Sequence, residues 1–72
     1  MNEALARFYD HLHRERATKL EAIALFGNGT LRLFEMKVGT VQIDISDQHV
    51  ALLRRNITEI EKILSDAGEP LD

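Results

Sequence analysis

The sequence predicts a small α+β domain: an N-terminal helix, a two- or three-stranded antiparallel meander and a C-terminal helix, with both helices packed on one face of the sheet. Three observations carry this. Residues 46–68 show a helical start, seam and stop together. Residues 2 to about 17 space their apolar side chains at helical intervals, and residues 30–46 alternate around glycine-containing turns. Stacking the helices on the strands is the arrangement that buries all three apolar faces at once.

In the first element Asn2 is a suitable N-cap, Glu3 suits the positive end of the helix dipole, and Leu5, Phe8, Tyr9 and Leu12 form the apolar face. Glu3 and Arg7, Asp10 and Arg14, and Glu15 and Lys19 each place an acid four residues before a base, the favourable order on a helix surface. Leu20 to Phe26 admits two readings. The stretch is rich in helix formers and can continue the first helix to a Gly27 cap, giving a helix of about 25 residues. Gly27-Asn28-Gly29 between AIALF and TLRLF is also the chemistry of a tight hairpin, and this tips residues 18–26 toward a strand.

Residues 30–37 put Leu31 and Leu33 on one side and Arg32, Phe34 and Met36 on the other, so both faces are partly apolar. Val38-Gly39-Thr40 reads as a turn. Val41, Ile43 and Ile45 then alternate with Gln42, Asp44 and Ser46 as a half-buried strand. Ser46 is expected to cap the last helix by accepting the N–H of His49, with Ile45 and Val50 as a hydrophobic staple. Val50, Leu53, Ile57, Ile60 and Leu64 form its seam, widened by Leu52 and Ile63, and Gly68 with Pro70 ends it. Residues 1–72 read as one domain, with 69–72 a loose acidic tail.

Composition narrows the function classes. Apolar residues make up 44% and charged residues 29% of the 72, which is ordinary for a folded protein. A chain this short buries only about 60% of its unfolded surface, and without cysteine it has neither disulfide nor thiolate metal site, leaving oligomerisation or a partner as the usual remaining support. The net charge of −3 disfavours nucleic acid as main partner. The N-terminus lacks an apolar signal-like core and no apolar run reaches membrane-spanning length, so a cytoplasmic location is expected.

No motif carries catalysis. On a helix His11 and His13 point roughly 200° apart and cannot share a metal ion. Gly-Asn-Gly lacks the P-loop lysine and the six-residue dinucleotide frame. No nucleophile–base or paired-carboxylate set can be assembled, so neither enzyme activity nor a cofactor is expected. Arg7, His11 and Arg14 share one face of the first helix with Arg16 continuing around it, an alternative site for an anionic partner such as nucleic acid, although neighbouring acids offset it. The apolar excess is more informative: Arg32, Phe34 and Met36 on the outer sheet face are of the types that anchor protein interfaces.

The expectation is therefore a non-catalytic protein-interaction module that works as a homo-oligomer or on a larger assembly. Its size and lack of site chemistry suit a phage- or plasmid-encoded accessory protein, either an inhibitor of host machinery or a small structural connector. The order helix, hairpin, helix resembles the layout of the phage head–tail joining proteins of the lambda W type. That likeness is one of element order, and no residue role is carried over from it.

Overall fold

The computed structural model describes residues 2–36, 39 and 42–71. The chain runs α1 (Glu3–Gly27), β1 (Phe34–Glu35), β2 (Ile43–Asp44) and α2 (Ser46–Asp66), an α+β order of helix, two-stranded antiparallel ribbon and helix as expected. The turn expected at Val38-Gly39-Thr40 and the start of the second strand at Val41 lie outside the described residues apart from Gly39, whose φ is +73°.

Residues 18–26 are helix, and the strand reading is corrected. The alanine- and leucine-rich stretch simply prolongs α1, aided by the Lys19–Glu15 pair at 2.8 Å one turn back. Gly-Asn-Gly serves as a helix end instead of a hairpin turn. Asn28 donates its N–H to the Ala24 carbonyl, Gly29 takes φ +82°, and Asn28 Oδ1 accepts the N–H of Thr30 at 2.9 Å. Leu31 then folds back to donate to the Leu25 carbonyl. At the other end Asn2 caps as expected, its side chain accepting from Ala4 and Leu5 at 3.0 and 3.4 Å.

α2 ends in a Schellman motif: Glu69 donates to the Leu64 carbonyl and Gly68, at φ +75°, donates to that of Ser65. Its start differs from expectation. His49 N–H goes to the Ile45 carbonyl, and Ser46, 1% exposed, uses its hydroxyl to accept the N–H of Leu33 at 2.9 Å. The hydroxyl thus ties the ribbon to the helix.

The core lies along the line where the antiparallel helices meet. Leu12, Ile60 and Leu64 form its centre with Tyr9 and Leu71 against them; Leu53, Ile57 and Phe26 are buried further along, and His49 packs on Phe26 at 5.5 Å between ring centroids. Complete burial of Leu64 contributes about 1.5–3 kcal/mol. Residues 69–71 of the tail are docked rather than loose: Leu71 sits on the core, its carbonyl accepts Arg16 Nη1 at 2.9 Å, and Glu69 lies 3.7 Å from His13. The molecule measures 55 × 25 × 16 Å with a radius of gyration of 15.9 Å, against about 11 Å for a compact chain of this length. Among the described residues no helix is long and apolar enough to cross a membrane.

Candidate interaction surface

The ribbon pairs Phe34 with Asp44 and Glu35 with Ile43. Alternation therefore puts Arg32, Phe34, Met36, Gln42 and Asp44 on one face and Leu31, Leu33, Glu35 and Ile43 on the other. The first face holds the three predicted anchors together. Arg32 reaches Asp44 Oδ2 through Nε at 3.1 Å and Nη2 at 2.6 Å, which fixes its guanidinium beside the strand. Gln42 Nε2 donates to Met36 Sδ at 3.3 Å. Phe34 remains about half exposed, and Met36 is 70% exposed.

Asp44 is the electrostatic centre of this face. The Ser46 hydroxyl and backbone N–H, the latter at 2.8 Å, hold its carboxyl down to about 2, with Arg32 adding to the effect. Charge on Asp44 thus organises both Arg32 and the entry into α2. On the opposite ribbon face Leu31, Leu33 and Ile43 are also exposed, so the ribbon is apolar on both sides.

The alternative basic strip is dispersed. Arg7 pairs with Glu3 at 2.8 Å, and His11 lies 3.9 Å from Glu15, which also takes Lys19. Lys19 is the chief reason the Glu15 carboxyl titrates below its ordinary value. Arg14 is exposed on α1, whereas Arg16 turns away to α2 and bonds Glu61 Oε2 at 2.8 Å. His11 and His13 take different acids, Glu15 and Glu69, as their opposed directions on the helix require.

Two apolar areas lie on the helices themselves. Leu5 and Phe8 share a face with Leu12 but stay exposed, because the antiparallel partner helix ends at Asp66 and leaves the first turns of α1 overhanging. An open groove of about 310 Å³ lined by Leu5, Ala6, Tyr9 and Glu69 marks that end. On α2, Leu52 and Ile63, expected to widen the buried seam, are 49% and 43% exposed. At 100° per residue they lie roughly a quarter-turn from Leu53 and Leu64, a displacement the spacing alone could have revealed. Comparison with known protein families, with curated proteins and with solved structures finds no match for this chain.

Proposed function

We propose that this chain is a non-catalytic module that works by binding protein, either as a homo-oligomer or docked on a larger assembly. The supporting observation is its surface. An accessible area of 5571 Å² exceeds by roughly 1000 Å² what a compact monomer of this mass exposes. Each side of a standard protein interface contributes about 800 Å². The surplus is apolar in part, with Phe34, Met36, Leu52 and Ile63 all open to solvent.

Arg32, Phe34 and Met36 are the anchors of the ribbon contact in this reading, since Asp44 pre-orders Arg32 and the two apolar side chains stand free beside it. An inhibitor uses one such surface; a connector uses two, and a rod 55 Å long can present them at opposite ends. A nucleic-acid role has less support, because Arg7, Lys19 and Arg16 already face carboxylates.

The test is Phe34→Asp, followed by circular dichroism and by solution mass across a concentration series. Retained helix content with loss of assembly supports the ribbon as contact surface. Unfolding of the variant places Phe34 in the core, and unchanged self-assembly means that copies of the chain meet through another surface, leaving the ribbon to a different protein.

A further inference from the structure

We propose, resting on the protein-binding reading above, that one partner is a second copy of this chain and that two copies pair antiparallel through the outer flank of α2, residues Leu52, Asn56, Glu59 and Ile63. These positions are separated by four, three and four residues, so they form one stripe along the helix beside the buried row Leu53, Ile57, Ile60 and Leu64. Leu52 and Ile63 are the large apolar side chains of α2 that the helix pair leaves exposed, and Asn56 between them is half-buried.

The stripe reads the same in both directions: apolar, polar, polar, apolar. A two-fold axis perpendicular to the helix sets the stripe against its own reverse, and that arrangement is complementary when the stripe has this symmetry. With the axis between Ile57 and Thr58, Leu52 meets Ile63 of the second copy, and the Asn56 amide can donate to the Glu59 carboxylate of the second copy. Each apolar group finds an apolar partner and each polar group a complementary one. Parallel pairing in register instead sets Glu59 against Glu59, two like charges inside the seam, which selects the antiparallel orientation. The cost is at the rim, where Arg55 faces Lys62 of the second copy. Asp66, 3.7 Å from Lys62 and on the same helix, offsets it.

The surplus surface of the single chain is of the size one side of a stable interface requires, and this pairing leaves Arg32, Phe34 and Met36 on the ribbon free for a different protein.

The chain has no cysteine, so single cysteines report the geometry directly. Leu52→Cys and Ile63→Cys are made separately and oxidised alone and as a mixture, alongside sedimentation of the unaltered chain. The expected result is a dimer in which the mixture cross-links and neither variant cross-links with itself. In the antiparallel pair the two copies of position 52 lie about 16 Å apart along the helices, beyond the roughly 7 Å limit for a disulfide. Leu52→Glu is expected to keep its helix content and to raise the concentration of half-dissociation at least tenfold, which corresponds to about 1.4 kcal/mol.

Self-cross-linking of Leu52→Cys overturns the orientation. A dimer without any cross-link overturns the surface while leaving the protein-binding reading intact. A monomer at all concentrations overturns the self-pairing, and the module's partner must then be a different protein.

Discussion

The hydroxyl of Ser46 accepts the backbone N–H of Leu33 at 2.9 Å, so the first residue of α2 holds the chain leading into β1. Ile45 N–H donates to the Leu33 carbonyl at 2.8 Å, and together the two bonds clamp one residue from both sides. Ser46→Ala removes the only side-chain part of this clamp and leaves a part-buried donor short of its acceptor, at a cost of about 1–3 kcal/mol. Thermal unfolding should fall accordingly, and the Leu33 amide should exchange hydrogen faster while α1 amides hold their protection.

Arg16 joins three parts of the molecule, α1 to Glu61 of α2 at 2.8 Å and to the Leu71 carbonyl at 2.9 Å. Its side chain is 21% exposed, so the pair is screened less than a free surface pair. A double-mutant cycle with Arg16→Ala and Glu61→Ala should give a coupling of about 0.5–1 kcal/mol. Arg16→Ala alone should also release the tail, seen as increased proteolysis after Gly68. Equal protease resistance in both proteins means that Leu71 packing and the Glu69 contacts anchor the tail without Arg16.

Gly27 and Gly29 should respond in opposite directions to the same change. Gly27 is the last residue of α1, and a methyl group there meets nothing within 4 Å, so Gly27→Ala gains roughly 0.5–1 kcal/mol of helix propensity. Gly29 sits at φ +82°, and Gly29→Ala loses about 1 kcal/mol to backbone strain despite equally open space. Urea denaturation of the two variants distinguishes the helix end from a hairpin. In a two-residue hairpin turn centred on this run, Gly27→Ala would not stabilise.

That contrast also explains which features are readable from the sequence. α2 is legible because its seam and its Gly68 stop are local. Leu20–Phe26 is not, because Gly-Asn-Gly ends helices and turns hairpins with the same positive-φ chemistry. What decides it is tertiary: Ile23 and Phe26 continue the face that meets α2. Ser46 is legible as a residue that must bond a backbone N–H but not as to which, since Leu33 is thirteen residues away. Arg32, Phe34 and Met36 share a face by alternation alone, whereas the Asp44 partner of Arg32 depends on the strand register. The exposure of Leu5 and Phe8 depends on where the other helix stops, which no local pattern encodes.

Asp44 makes the ribbon sensitive to acid. Ser46 and Arg32 lower its carboxyl from the ordinary 3.8 to about 2, so the folded state favours the charged form. A carboxyl lowered on folding contributes stability that is complete above its unfolded value and declines as protons bind. The contribution is therefore present above pH 3.8 and is lost progressively as pH falls toward 2. Stability measured across this window should decline less steeply in Asp44→Asn, which has no proton to take up there. Ser46→Ala should move the Asp44 titration upward, because it removes the largest hydrogen-bond contribution. Arg32→Ala should move it less. Carboxyl chemical shifts followed by NMR test the order of the two, and a larger shift from Arg32→Ala would make the guanidinium, not the helix entry, the main holder of the charge.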